Sequence, residues 1–133
     1  AIAILAGIVI LAINPTKQLG ETRNAQRRAD VNTISNAIYQ YAIDNNGALP
    51  EYIDGTATEI CAGNTATTTC TTAGLIPMNE LVWNETYIVD IPSDPSGGCS
   101  VDGVCYEVST TTGGRVTVSA PDAEQNATIS HSS

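Results

Sequence analysis

The first thirteen residues, AIAILAGIVILAI, carry no polar or charged side chain. A helix that is apolar all round must be buried on every side, in protein or in lipid. Thirteen residues fall short of the about 20 that a helix needs to cross a bilayer. No basic residues precede the run and no cleavage-site pattern follows it, so it does not read as a secretory signal peptide. Two readings remain: the end of a longer apolar helix, or a short helix buried in a core. Its place at the extreme terminus of an otherwise polar chain favours the first. Asn14-Pro15 then interrupts the run, because proline lacks a backbone donor and clashes with the preceding turn.

From Thr16 to about Asn45 the pattern is helical. Val31, Ile34, Ile38, Tyr41 and Ala42 recur at three- and four-residue steps and so share one face. The charged residues Glu21, Arg23, Arg27, Arg28 and Asp30 lie mostly in the turns before them. Asn45-Asn46-Gly47 reads as the helix end, with Asn or Gly able to take the left-handed conformation, and Pro50 supports the stop. Both helical parts together reach on the order of 65 Å at about 1.5 Å per residue. That exceeds what one small domain needs. A helix apolar all round at one end and amphipathic at the other requires two environments. The chain divides accordingly into an N-terminal helix over 1–47, apolar over 1–15 and amphipathic over 16–47, and a head over 48–133.

Residues 48–100 read as mostly irregular, with a Thr-rich stretch from Thr65 to Thr72 broken only by Ala66 and Cys70. A short helix is expected over Asn79 to Trp83. Tyr87 to Ile91 reads as extended and runs into the rigid turn Pro92-Ser93-Asp94-Pro95. Val104, Tyr106 and Val108 alternate with polar or cysteine positions, as do Val116, Val118 and Ala120. With Gly113-Gly114 between them, the two runs predict a hairpin. The last ten or so residues read as polar and loose. The fold class is α+β: a long N-terminal helix packed on a small C-terminal antiparallel sheet with long irregular loops.

The chain of 133 residues has no Phe and one Trp, so its core must lean on Ile, Val, Leu, Ala and Tyr. Net charge is -9, unevenly placed: residues 31–133 hold Arg115 as their one basic residue against twelve acidic ones. Such a surface repels phosphate backbones, so no nucleic-acid partner is expected. Four cysteines, Cys61, Cys70, Cys99 and Cys105, in a polar, Thr-rich setting fit disulfides in an oxidising compartment. Three pairings are open, and the two that close short loops, Cys61 with Cys70 and Cys99 with Cys105, are favoured.

The N-terminal stretch AIAILAGIVILAINP, followed by QRRADVNTISNAIYQYAIDNNGALP, resembles the start of type IV pilins and of the related secretion pseudopilins. The likeness covers residues 1–50 well. Ile91-Pro92-Ser93-Asp94-Pro95 resembles a motif seen before the final strands in the pseudopilin branch. The methylated aromatic residue and the nearby Glu of the family's mature N-terminus have no counterpart in this chain. If the two align, about ten residues precede Ala1 in the full protein, which brings the run to membrane-spanning length.

The resemblance implies a structural protein rather than an enzyme. The apolar helix rests in the inner membrane before the assembly machinery moves it, then packs against copies of itself in an extracellular filament for attachment, adhesion or motility. Ile2, Ile4, Leu5, Ile8, Val9, Ile10, Leu11 and Ile13 are the expected filament-core residues. The small Ala3, Ala6, Gly7 and Ala12 permit close approach. Asn14 and Pro15 are the candidate helix break, either a non-helical gap or only a kink. Arg23, Arg27 and Arg28 are expected near the rim of the helical bundle, facing Glu21 or Asp30 of other copies, unless they are simply solvated. Two other readings stand beside the filament: a pseudopilin of a secretion system, and an anchored binding domain that does not polymerise.

Other sites are weaker. Asn84-Glu85-Thr86 and Asn126-Ala127-Thr128 match the N-glycosylation pattern, and Thr67, Thr68 and Thr69 are candidates for O-linked sugars or else part of a polar loop. Asp90, Asp94 and Asp102 could hold calcium, although turn and solvation roles fit them better; no other cofactor is expected. The single histidine, His131, lies in a polar tail and no nucleophile motif accompanies it.

Overall fold

A computed structural model describes residues 15–63 and 65–132. The apolar run, with its eight expected filament-core residues and Asn14, lies outside them. Helix α1 spans Pro15–Asp44, 30 residues and about 45 Å long. Pro15 is helical. The helix closes as its sequence predicts: Asn46 and Gly47 both take positive φ, and the Gly47 amide bonds the Ala42 carbonyl at 2.7 Å. Among the described residues no helix is long and apolar enough to cross a membrane.

Four strands follow, β1 (Thr58–Cys61), β2 (Gly103–Thr110), β3 (Val116–Ser119) and β4 (Ser130–Ser132). They form one antiparallel sheet in sequence order. The short helices α2 (Thr67–Thr72) and α3 (Asn79–Val82) lie between β1 and β2, and a 3-10 turn over Trp83–Glu85 follows α3. This is the α+β architecture that the sequence implies. The expected β2–β3 hairpin forms, with Thr110 opposite Val116 and Gly114 at positive φ in the turn.

Helix α1 lies on the sheet face built from Val104, Tyr106, Val108, Val116 and Val118. Val31, Ile34, Ala37 and Ile38 enter the same core with Ile60, Met78, Leu81, Ile91 and Ile129. A second small cluster forms where the Cys61–Cys70 disulfide packs with Leu75. Cys99 pairs with Cys105, so both bridges close short loops.

Three expectations need correction. The C-terminal residues are not loose: β4 pairs with β3, Val118 opposite His131, and Ile129 is buried. Their polar sequence conceals a strand whose one anchoring side chain lies just ahead of it. Residues 87–91 form no strand, because their chain folds back so that the amides of Tyr87 and Ile88 both bond the Leu81 carbonyl. The Thr-rich stretch is a short helix tied to β1 through Cys70, rather than an open loop.

Candidate functional site: a buried polar joint between helix and head

The buried stripe of α1 runs Gly20, Asn24, Arg27, Val31, Ile34 and Ile38. Its lower half is polar. Gly20 lets the C-terminal segment approach closely, since a Cβ there would meet the Gln125 side chain at 2.9 Å. One turn on, Asn24 forms a two-way bridge: its Nδ2 donates to the Glu124 carbonyl at 2.8 Å, and its Oδ1 accepts from the Glu124 amide at 2.9 Å.

Arg27 has no solvent exposure. A guanidinium has five N–H donors, and here every one finds an acceptor. Nε donates to Asp94 Oδ2 at 2.7 Å, and Nη2 donates to Asp94 Oδ1 and Ser96 Oγ, both at 3.0 Å. Nη1 donates to Asn24 Oδ1 at 2.9 Å and Glu124 Oε2 at 2.8 Å. Arg23 adds a forked pair from Nε and Nη2 to the two oxygens of Glu124. Asp30 completes the row: it accepts Tyr106 Oη at 2.6 Å and Gln26 Nε2 at 2.8 Å. One face of one helix thus grips the turn at 92–96, the middle of β2 and the C-terminal segment. Among the described residues no buried side-chain polar atom is left without a partner.

The electrostatics follow from this geometry. Hydrogen bonds from Arg23 and Arg27 hold the Glu124 carboxyl at about 2, below its ordinary 4.5. Burial pushes Asp94 up, but the bonds from Arg27 and Ser96 outweigh it and hold its carboxyl below the usual range. The Asp94 hydrogen bond raises Arg27 despite the burial that opposes it. Burial, then the Asp30 bond, raises the Tyr106 phenol. For Glu124 the folded value is depressed, so its stabilisation is fully present above pH about 4.5 and is lost as the pH falls through about 2. Glu124→Gln should therefore flatten the fall of melting temperature between pH 4.5 and 2, read by circular dichroism in buffers of constant ionic strength.

Two of the three arginines expected at a bundle rim, Arg23 and Arg27, belong to this joint. Arg23 and Arg27 find their carboxylates within their own chain, and Asp30 is taken by Tyr106; Arg28 alone of the three is exposed. The calcium reading fails at Asp94, both of whose oxygens already bond the Arg27 cation. Asp90 accepts the Ile91 amide at 2.9 Å, and Asp102 sits in a turn with positive φ. One other grouping of metal-ligand types among the described residues is Glu59 with Cys99 and Cys105, but its sulfurs are joined to each other. Glu59 instead accepts the Cys105 amide at 2.9 Å and the Ser100 hydroxyl at 2.7 Å, bracing that disulfide loop.

Thr67, Thr68 and Thr69 are exposed on α2, where the Thr67 hydroxyl bonds Asn79 at 3.1 Å. Asn126 is exposed in a turn at positive φ, and Asn84 lies in the 3-10 turn after α3.

Sequence reasoning missed the joint, although its phase was readable: 24, 27, 31, 34, 38 and 41 alternate steps of three and four along one helical face. The arrangement has the chemistry of a lock between elements, with saturated donors and no open cleft at Arg27. No protein-family model, curated protein or solved structure matches this chain.

Proposed function

We propose that the chain is the structural subunit of an extracellular type IV pilus-like filament, which polymerises through the apolar run at residues 1–13. The observation that carries this reading is the way α1 leaves the head. Residues 15–19 are all exposed, Leu19 among them, while the helix from Gly20 onward is clamped to the head. The apolar run therefore precedes, in sequence, the exposed end of a helix. A side chain such as Ile or Leu gains about 1.5–3 kcal/mol on leaving water, and copies of the same run supply the dry surroundings. The likeness of residues 1–50 to pilins adds support, as do the two disulfides, which form and persist in oxidising compartments. On this reading the subunit rests in the inner membrane before assembly, its partners are other copies and the assembly machinery, and it carries out no catalysis.

The test is to shear the surface of the source cells, image the released fraction by electron microscopy and identify its protein by mass spectrometry. Long thin filaments composed mainly of this chain are expected. Retention in the envelope with no filament containing the chain would overturn the proposal and favour a pseudopilin or an anchored monomer.

A further inference from the structure

The head carries an exposed tryptophan and, apart from it, an apolar groove beside α1. The groove, of about 180 Å³, lies between the C-terminal half of the helix, the loop after it and the β2–β3 turn, lined by Ile38, Tyr39, Ala42, Leu49, Gly114 and Val116 among others. Tyr39 and, one turn on, Ile43 stand at this side of the helix, 57% and 61% exposed. The tryptophan, Trp83, the only one in the chain, is 74% exposed in the 3-10 turn after α3. Tyr87 in the same folded-back segment meets the other flank of the helix: its ring lies edge-on to Tyr41 at 5.7 Å, and its hydroxyl bonds Asp44 at 2.8 Å. Tyr39 and Tyr41 are two residues apart, so their directions differ by roughly 160° around a helix of 3.6 residues per turn. The groove and the segment that carries Trp83 thus meet α1 on different flanks.

Charge matches the two surfaces. Arg115, the only basic residue after Arg28, is exposed between the groove residues Gly114 and Val116. The Trp83 segment carries Glu85, exposed two residues after Trp83, and the half-buried Glu80. Trp, Tyr and Arg, the residue types present on these two surfaces, are the ones that dominate the energetics of protein contacts. A patch that fits a different patch on an identical molecule makes a head-to-tail contact, which propagates instead of closing on itself as a dimer would.

We infer that the head carries its own polymer contact, in which Trp83 of one copy enters the Tyr39–Val116 groove of the next and Glu85 faces Arg115. The inference rests on the filament reading, and it adds a second, outer contact to the one made by the apolar run.

The test uses whole chains in cells that make filaments. A photoreactive benzophenone side chain placed at position 83 should, on irradiation of sheared filaments, give dimer-sized products whose cross-linked peptide spans residues 35–49 or 114–116 of the second copy. Trp83→Ala should lower filament yield by about tenfold or more. Arg115→Glu should also lower it, and adding Glu85→Lys should restore it. Trp83 and Arg115 are exposed, so these variants keep the core intact, which an unchanged melting temperature verifies. Cross-links that map elsewhere, or a Trp83→Ala yield equal to wild type, overturn the head contact and leave the filament standing. Absence of filaments from wild-type cells overturns both.

Discussion

Replacing Arg27 with methionine should destabilise the head by about 3–5 kcal/mol at neutral pH, because it leaves the fully buried carboxylate of Asp94 without its counter-ion. For a domain of this size the melting temperature falls on the order of 10–20 °C. The methionine fills most of the space of the arginine stem, so the loss reports the stranded charge and the missing hydrogen bonds. Two further results separate that cause from poor packing. Arg27→Met with Asp94→Leu should recover much of the loss, since a buried ion pair replaced as a unit by apolar groups is often neutral. The single variant should also regain stability on mild acidification. Without Arg27, burial pushes the Asp94 carboxyl up against only the two bonds from Ser96, so protonation removes the buried charge. The wild type runs the other way, losing stability as its depressed carboxylates take up protons. Thermal melts of the three proteins across pH 7 to 3 test all of this, and an Arg27→Met melt within a degree or two of wild type would refute the role given to the joint.

The second large effect concerns Cys61–Cys70. Replacing both cysteines with alanine should cost about 2–5 kcal/mol. Closing a loop of nine residues' separation contributes on chain-entropy grounds, and the two fully buried side chains also make up two of the three members of the smaller core cluster, with Leu75 the third. The matching change at Cys99 and Cys105 should cost less. That loop, with a separation of six, is nearly equivalent in entropy, but Cys99 is only half-buried and Glu59 still braces the segment through the Cys105 amide. Denaturant melts of the two double variants should keep this order, and the reverse order would count against the packing argument. The Thr-rich α2 should loosen first in the Cys61/Cys70 variant, because threonine is a poor helix former and the disulfide is the helix's covalent tie to β1.

The contrast between α2 and the hairpin indicates what local pattern can reveal. Val104, Tyr106, Val108, Val116 and Val118 alternate because one sheet face is buried, and that period of two survives in the sequence. Val31, Ile34, Ile38 and Tyr41 show the helical period for the same reason. Asn24 and Arg27 lie on the continuation of that stripe, but their residue types read as solvent-facing, and only phase argued otherwise. Asp94 appears in a recognisable motif, yet its partner is 67 residues away, and no local rule joins the two. Strand β4, Ser130–Ser132, has no apolar alternation at all; β3 makes it a strand by pairing with it. The exposure of Trp83 is likewise set by tertiary context, since nothing in its local sequence marks it as outward-facing.

The row of attachments along α1 has a mechanical consequence. From Gly20 to Ile38 the buried stripe covers about 27 Å of helix, and its ties to the head, at Asn24, Arg27, Asp30 and then the apolar side chains, are spaced along the axis. A pull directed down the helix loads all of them in shear at once, so none gives way before the others share the strain. A pull directed sideways at the first turn would peel them in order, Arg23 and Asn24 ahead of Arg27. The head should therefore resist tension along α1 far better than an equal force across it, and single-molecule stretching with handles fixed in those two geometries would show two distinct rupture forces for one domain.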